Sequence, residues 1–302
     1  MNRALAALAA LACLLSASVA LADQPFDWQM TLQPAATTIM EQIRWFEQYT
    51  LWFIVPITLF VLVLLIVVAV KFRESKNPVP SKTSHNTMIE VVWTVAPVLI
   101  LLFFAIPSFN LLTAQLTIPA NPDLTIKATA TQWLWSYEYE GEGEGEEAAA
   151  SPISFDSYLL RDADRANLGK EDRAVYPHLL AVDNEMVVPV GQTVRLLVTA
   201  APTDVIHAFA MPSFGIKIDA VPGRLNETWF KADREGLFYG QCSELCGKDH
   251  AFMPIAIRVV SEAQYTTWLE AAANNLGDAN RALMAAVEGG DATQQVAENV
   301  SN

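Results

Sequence analysis

Four residues whose side chains bind soft metal ions lie within twelve positions of one another. Cys242, Cys246, His250 and Met253 follow the spacing C-x3-C-x3-H-x2-M. Two thiolates, an imidazole and a thioether suit a soft transition metal better than they suit a catalytic triad. His207, in the upstream segment DVIHAFAMP, is a fifth candidate ligand. The residue types and their spacing therefore predict a metal-binding loop.

Several kinds of site are compatible with this loop. Two neighbouring cysteines in an exported protein form a disulfide by default. A structural zinc ion takes four Cys or His ligands, and methionine is a poor ligand for zinc. A mononuclear copper site of the blue type uses one cysteine, two histidines and a weak methionine, which leaves one cysteine over. Two bridging thiolates would instead hold two copper ions, each with one histidine and one weak ligand: Met253 for one, and a loop carbonyl such as that of Glu244 for the other.

The first half of the chain has the features of an exported membrane protein. Residues 1–22 contain Arg3, an apolar run and an Ala-Leu-Ala sequence, which predict a secretory signal peptide that ends at Ala22. The alternative is an uncleaved first membrane helix. Residues 51–70 and 91–112 are uncharged apolar runs. Both predict membrane spans, because about 20 helical residues cover the roughly 30 Å of a hydrocarbon core.

The distribution of basic residues predicts the orientation of these two spans. Residues 23–50 have a single basic residue, Arg44. The loop between the spans, residues 71–90, contains four, namely Lys71, Arg73, Lys76 and Lys82. The excess of positive charge predicts a cytoplasmic loop. Residues 23–50 and everything after residue 112 then lie outside the cytoplasm, in agreement with the signal peptide.

Residues 113–260 form the predicted exported domain. Short β-rich runs separated by Pro and Gly turns are typical of an antiparallel sandwich or barrel. Two polar segments interrupt these runs, the Glu/Gly-rich residues 140–151 and the insertion 161–177, and we expect neither to be packed.

The end of the chain, residues 261–302, returns to a helix-forming composition. Ser261 is placed to cap a helix that has Tyr265, Trp268 and Leu269 on one apolar face. We expect the residues from Glu288 onward to be disordered.

The exported part carries all of the net charge. Residues 113–302 contain 13 Lys and Arg against 27 Asp and Glu, a difference equal to the net charge of −14 of the whole chain. This balance argues against binding to nucleic acid and favours a basic partner, although a merely soluble acidic surface has the same composition.

Four segments of the chain resemble subunit II of cytochrome c oxidase. They are HNTMIEVVWTVAPVLIL, QWLWSYEY, DVIHAFAMPSFGIKIDAVPGRLNETWF and GQCSELCGKDHAFMPI. They occur in the family's order between the first span and Val260. The resemblance implies two transmembrane helices followed by a cupredoxin-like β-sandwich. It also implies a bacterial inner membrane, with the sandwich on the periplasmic side.

The resemblance implies a dinuclear copper centre of the type called CuA. Its ligands fall on His207, Cys242, Cys246, His250, Met253 and the backbone carbonyl of Glu244. In the family, the side chain of the loop glutamate, here Glu244, also reaches a magnesium ion at the interface with subunit I.

The implied activity is that of a respiratory oxidase. Subunit II accepts electrons from cytochrome c and passes them to haem in subunit I, where oxygen is reduced to water and protons are pumped. The resemblance places the haems in subunit I only. It also implies contacts of subunit II with subunit III and with membrane lipid. Electrons would enter at Trp133, for which a core tryptophan is the alternative. Glu90 would lie at the mouth of a proton path, or else be an ordinary helix-start carboxylate. The implied acids for docking cytochrome c are Glu138, Asp156, Asp183 and Asp204.

Three residues depart from the family's common pattern. Thr131, Leu134 and Phe209 stand where many members have histidine, tyrosine and tryptophan, and none of them is an implied ligand. The alternative functions are the copper subunit of a nitrogen-oxide reductase and a membrane-tethered copper carrier. A quinol oxidase subunit II has the same architecture but lacks the ligands.

Overall fold

A computed structural model describes residues 23–140 and 153–300, with side chains of the last helix described as far as Val287. The predicted signal peptide and nearly all of the Glu/Gly-rich segment lie outside the described residues. The described chain divides into two compact units, a helical hairpin over residues 39–117 and a β-rich domain formed by the segments that flank it.

The hairpin consists of α1 (Thr38–Lys71) and α2 (Thr87–Leu116). By length and composition, both helices are able to cross a membrane. Each extends beyond the apolar run from which it was predicted. The helices contact each other through aromatic side chains: the Tyr49 hydroxyl donates to the Phe103 carbonyl at 3.1 Å, and the Phe53 and Phe104 rings pack edge to face with centroids 5.0 Å apart.

Within the described residues, ten strands build the second unit. They are β1 (Leu124–Thr131), β2 (Leu134–Tyr139), β3 (Ile153–Ser157), β4 (Met186–Pro189), β5 (Thr193–Ala200), β6 (His207–Met211), β7 (Ile216–Ala220), β8 (Asn226–Lys231), β9 (Gly236–Cys242) and β10 (Pro254–Val260). One sheet has the order β3-β2-β1-β5-β8 and the other β4-β10-β9-β6-β7. The prediction of a membrane hairpin followed by a β-sandwich is confirmed.

The prediction that the sandwich is antiparallel is wrong for two strand pairs. β1 pairs with β5 in parallel, and β4 pairs with β10 in parallel. The chain leaves the first sheet after β3, forms β4 in the other sheet and returns as β5. Such a crossover lets two strands of one sheet run in the same direction, which a tight hairpin does not allow.

Alternating side chains of the two sheets form the core. Ile126, Ala128 and Ala130 are fully buried on one face of β1, and Ile255 and Ile257 are fully buried on β10. Alternate residues of a strand point to the same face, so the period of two places these apolar side chains between the sheets. The core therefore extends along the strands to the ends where the candidate ligands lie.

The insertion 161–177 is packed, contrary to our expectation. Arg165, Lys170 and Tyr176 are each buried to 95% or more. Tyr176 belongs to a second apolar cluster that includes Leu237, Tyr239 and Ala256 of β9 and β10. The insertion was misjudged because two of its charged residues, Arg165 and Lys170, are buried with ionic partners, although its other charged residues are exposed.

The residues that precede α1 are paired with the β-rich domain. The Asp23 backbone N–H donates to the Leu237 carbonyl at 2.9 Å, and Thr37 forms an isolated antiparallel bridge with Ala232. The segment 23–37 is therefore fastened to the domain at both of its ends.

The chain ends in two longer helices, α4 (Glu262–Ala272) and α5 (Leu276–Val300), after the single-turn α3 (Arg165–Leu168) of the insertion. Ser261 caps α4, and the Tyr265 and Trp268 side chains are buried, as predicted. Trp268 donates through Nε1 to Asn280 of α5 at 2.9 Å. The backbone of α5 continues as a helix through Glu288 to Val300, where the sequence analysis expected disorder.

Candidate metal centre

The candidate ligands come from two neighbouring strands and the loop that follows one of them. His207 is the first residue of β6, Cys242 is the last residue of β9, and these strands pair with each other. The loop after Cys242 passes through a single 3-10 turn, His250–Phe252, and re-enters the sheet as β10 directly after Met253. Sheet pairing therefore brings His207 to a loop that lies 35 residues further along the chain.

The two cysteines and two histidines form one compact group. The Sγ atoms of Cys242 and Cys246 are 3.8 Å apart, which is far beyond the roughly 2.05 Å of a disulfide bond, and both cysteines are free. Nδ1 of His207 lies 3.8 Å from Cys242 Sγ, and Nδ1 of His250 lies 3.4 Å from Cys246 Sγ. Each sulfur thus faces one imidazole nitrogen.

Glu244 and Met253 are also beside Cys242. The Glu244 carbonyl oxygen is 3.3 Å from Cys242 Sγ, whereas the Glu244 residue as a whole is exposed. The Met253 carbonyl accepts a hydrogen bond from the Cys242 backbone N–H at 3.0 Å, and Met253 is buried. All six predicted ligand positions are therefore in or beside one loop and strand end.

The protonation of the two thiols is suited to a metal site. Burial raises the pKa of Cys242, but hydrogen bonds with His207, with the backbone of Glu244 and Ala208, and with Cys246 together outweigh it and bring the pKa down to about 6. Burial and the neighbouring Cys242 raise the pKa of Cys246 to about 12. The negative charge of the Cys242 thiolate therefore opposes deprotonation of Cys246, unless bound cations balance both charges. Two buried sulfurs, two imidazoles and a methionine fit soft metal ions such as copper.

His207 is completely enclosed. Its ring lies 6.5 Å from the Trp135 ring, centroid to centroid, and none of its surface is exposed. On the side away from Cys242, Nε2 is 3.3 Å from Oδ1 of Asp204. The closed environment leaves Nδ1 facing the sulfur and Nε2 facing a carboxylate.

Trp133 is attached to the ligand loop. Its indole Nε1 donates to the Cys246 carbonyl at 3.2 Å, and the side chain of Gln132 donates to the same oxygen at 2.7 Å. Gly247 has φ +121°, and a Cβ there would lie 3.1 Å from the indole, so this approach requires glycine. Lys248 Nζ lies 5.6 Å from the Trp133 ring centroid. Gln132 and Lys248 were not predicted as site residues, because neither is a metal ligand and their contacts depend on how distant segments fold together.

The four predicted docking acids have different surroundings. Asp156 is exposed on β3, beside Ser136 of β2, and Glu138 is about one-third exposed and paired with Lys127 at 2.8 Å. Asp183 accepts the backbone N–H groups of Tyr158 and Asn184 at 2.8 and 2.7 Å. Asp204 accepts two backbone N–H groups, and only 8% of its side chain is exposed. The carboxylates of Asp183 and Asp204 thus already accept hydrogen bonds from backbone N–H groups of this chain.

Glu90 lies in the first turn of α2. Asn86 caps this helix by accepting the N–H groups of Met88 and Ile89, and the Glu90 carboxylate accepts the N–H of Asn86 at 3.2 Å. This reciprocal capping satisfies donors that a helix start leaves free.

Comparisons with known proteins cover both units. The family model "Cytochrome C oxidase subunit II, periplasmic domain" matches residues 124–260, and "Cytochrome C oxidase subunit II, transmembrane domain" matches residues 25–111. A probable cytochrome c oxidase subunit 2 of Rickettsia bellii is 46% identical over 255 residues, 84% of this chain and 88% of that protein. The cytochrome c oxidase subunit 2 of Oenothera berteroana is 44% identical over 252 residues, 83% of this chain and 93% of that protein.

A periplasmic domain among the solved structures is similar to this chain in sequence. The crystal structure of the periplasmic domain of cytochrome oxidase subunit II from Bradyrhizobium japonicum is 55% identical, with a TM-score of 0.42, and covers 52% of this chain and 96% of that one. The matches to both family models and to relatives of nearly equal extent agree with the hairpin and the sandwich. The chain belongs to the family of cytochrome c oxidase subunit II.

Proposed function

We propose that the β-rich domain holds a dinuclear copper centre, which accepts electrons from cytochrome c and delivers them to haem in subunit I. The observation that carries this proposal is the pair of unlinked sulfurs of Cys242 and Cys246, 3.8 Å apart, each facing one histidine Nδ1. Bound there, two copper ions would share one electron and so change oxidation state with little rearrangement. Oxygen reduction and proton pumping belong to subunit I in this proposal.

The protein would enclose the centre and connect it to the surface. Cys242, Cys246 and Met253 are each no more than 3% exposed, so water is largely excluded from the sulfur ligands. Trp133, which is partly exposed and donates to the Cys246 carbonyl, would link the donor protein to the ligand loop. The Glu244 carbonyl would be a weak ligand, and its exposed carboxylate would reach a magnesium ion shared with subunit I.

Exposed apolar residues around the ligands support assembly with another subunit. Leu245 is 78% exposed and Phe252 is 45% exposed, and both lie within the ligand loop. Val205 and Ile206, directly before His207, are 42% and 45% exposed. Apolar surface concentrated beside a functional site is typical of a protein interface. We propose subunit I as the partner here, with subunit III and membrane lipid around the hairpin of a bacterial inner membrane.

The acidic surface would attract a basic cytochrome c. Glu138 and Asp156 lie on neighbouring strands and are the predicted docking acids with accessible carboxylates. Complementary charge mainly accelerates association, and its effect falls as salt rises. For Glu90 we propose the entrance of a proton path in subunit I, a role that is compatible with its capping of α2.

Electron paramagnetic resonance of the full chain in detergent, with a copper count, tests the copper proposal. We expect two coppers per chain and hyperfine splitting shared equally over both nuclei. In Cys246→Ser we expect the shared splitting to disappear, because one bridging sulfur is lost. Ser243→Ala in the same loop is the matched control and should retain the signal. One localised copper in the unaltered chain would contradict the proposal.

Oxygen uptake by the assembled complex separates the remaining alternatives. With reduced cytochrome c, an oxidase consumes oxygen, whereas a nitrogen-oxide reductase consumes its nitrogen oxide and leaves oxygen untouched. A copper carrier would give neither activity and would transfer its copper to a copper-free acceptor protein.

Lys248 is a cation beside Trp133 on a domain of net negative charge. Its charge should therefore repel a basic electron donor that docks at Trp133. We expect Lys248→Gln to lower the KM for a lysine-rich cytochrome c about two- to fivefold at low ionic strength, the size typical of one exposed charge. Steady-state kinetics at low and high salt measure the effect, which should vanish in high salt. Lys231→Gln, at an exposed lysine of β8, is the control. An increase in KM would show that Lys248 instead pairs with an acidic group of the donor.

A further inference from the structure

We propose that the chain binds the headgroup of an anionic phospholipid at the turn that follows the first membrane span. This turn, residues 71–77, is called the basic turn below, and its cations are Lys71, Arg73 and Lys76. Lys71 is the last residue of α1. The inference concerns the helical hairpin and does not rest on the proposed copper function.

The connection between the two helices is a positive region of an acidic protein. Residues 71–86 contain four Lys and Arg against one acid, Glu74, whereas the whole chain has a net charge of −14. The three cations of the basic turn are exposed. The ion pairs formed among the described residues include none of these three. Their charge is therefore available to an anion from outside the chain.

Backbone hydrogen bonds wind the basic turn directly after the helix. The Phe72 N–H donates to the Val68 carbonyl at 3.1 Å. The N–H groups of Lys76 and Asn77 both donate to the Arg73 carbonyl, at 2.9 and 3.0 Å. Because the chain turns back on itself here, the cations stay close together along the chain path instead of spreading over an extended loop. Clustered Lys and Arg side chains suit a phosphate group, whose oxygens accept several charge-assisted hydrogen bonds.

The position of the turn on the span favours a lipid over a soluble anion. The uncharged apolar run of α1 ends at Val70, so Lys71 begins where the hydrocarbon core ends. Long cationic side chains at the end of a span extend to the level of the lipid headgroups. Phe72 and Val79 are apolar residues between the cations and are 55% and 83% exposed. Apolar side chains interleaved with cations are typical of segments that lie in the membrane interface.

The charge of the turn favours an anionic lipid over a zwitterionic one. The excess of basic residues predicts the cytoplasmic side for this loop, and anionic lipids give that membrane surface a negative potential. Each Lys or Arg near such a surface strengthens binding about fivefold. An acidic segment of a partner subunit has complementary charge as well. The lipid is favoured because the turn begins at the end of the span, where headgroups surround it.

Native mass spectrometry of the copper-free full chain in non-ionic detergent tests the inference, because it counts each bound lipid. The chain is titrated with phosphatidylglycerol or with phosphatidylcholine of the same acyl chains. We expect the first phosphatidylglycerol to bind at least about tenfold more tightly than the first phosphatidylcholine. The double variant Arg73→Gln with Lys76→Gln should lose most of this preference. Equal affinity of the unaltered chain for both lipids would overturn the inference.

Lys217→Gln with Lys231→Gln is the matched control. It removes the same charge from exposed positions of β7 and β8, and the preference for phosphatidylglycerol should remain. An equal loss in both double variants would mean that net charge alone governs binding, and would overturn a site at the basic turn. Glu74→Gln tests the sign of the effect, because it removes the acid of the turn. It should tighten the binding of phosphatidylglycerol, and weaker binding would contradict the proposal.

Two further measurements identify the source of the phosphate group. Glycerol phosphate is a soluble fragment of the same lipid, and we expect the chain to bind it far more weakly than the lipid. Equal affinity for both would mean that the membrane contributes nothing. In the assembled complex, a photoactivatable phosphatidylglycerol should cross-link to residues 71–82. Cross-linking of these residues to a partner subunit instead would show that an acidic protein surface occupies the turn, and would overturn the inference.

Discussion

Replacing Trp133 by phenylalanine should lower the kcat of the assembled oxidase with cytochrome c about tenfold or more, equivalent to at least about 1.4 kcal/mol of activation free energy. The indole is partly exposed and its Nε1 donates to the Cys246 carbonyl, so it joins the protein surface to a ligand residue. Phenylalanine keeps an apolar ring there but removes the hydrogen bond. Gln132 still donates to the same carbonyl, so we expect the copper site itself to remain.

Steady-state and stopped-flow kinetics with reduced cytochrome c measure this effect. We expect KM and the copper spectrum to change little, because neither a docking acid nor a ligand is altered. Trp229→Phe is the control: Trp229 is a partly buried tryptophan of β8, in the other sheet from the ligand strands. If Trp133→Phe transfers electrons as fast as the control, electrons enter the domain elsewhere.

The ligand set was predictable from sequence because most of it is local. Cys242, Cys246, His250 and Met253 share one loop, so their spacing alone indicates a metal site. His207 was a further candidate from the upstream segment, and the resemblance implies that it is a ligand. The contacts of Asp204 were not predictable in this way. Its contact with Gln132 spans 72 residues of sequence and depends on the way two sheets meet. From the sequence alone, an acid near a metal-binding loop in an acidic domain is equally compatible with a structural role and with docking of a partner.

The insertion 161–177 was misjudged for a related reason. Composition distinguishes polar from apolar segments, but it does not reveal that a charge has a buried partner. Lys170 has its partner Glu185 15 residues away, and Glu185 pairs in turn with Arg258 at a separation of 73 residues. Buried charges are tolerated when they are paired, so a charged segment is able to pack against a sheet.

Replacing Glu185 by glutamine should destabilise the β-rich domain by about 3–5 kcal/mol, because two buried cations lose their common anion. Glu185 Oε1 accepts from Lys170 Nζ at 2.9 Å, Oε2 accepts from Arg258, and the three side chains are 3–8% exposed. Guanidinium-induced loss of the β-sheet signal of the full chain in detergent measures the change. Glu227→Gln removes an exposed pair with Arg195 and should cost at most about 1 kcal/mol.

The pH dependence of the free energy of unfolding tests whether the lost ion pairs cause the destabilisation of Glu185→Gln. Burial raises the pKa of Glu185, but Arg258 and Lys170 outweigh it and hold the pKa at about 2, below the ordinary value of 4.5. A carboxylate with a lowered pKa stabilises the folded state above the ordinary pKa, and this contribution is lost as pH falls toward the folded value. The gap between the unaltered chain and Glu185→Gln should therefore be constant above pH 4.5 and shrink between pH 4.5 and 2. A gap that does not change with pH would mean that glutamine disturbs packing rather than charge, and the insertion would then be held by its apolar contacts.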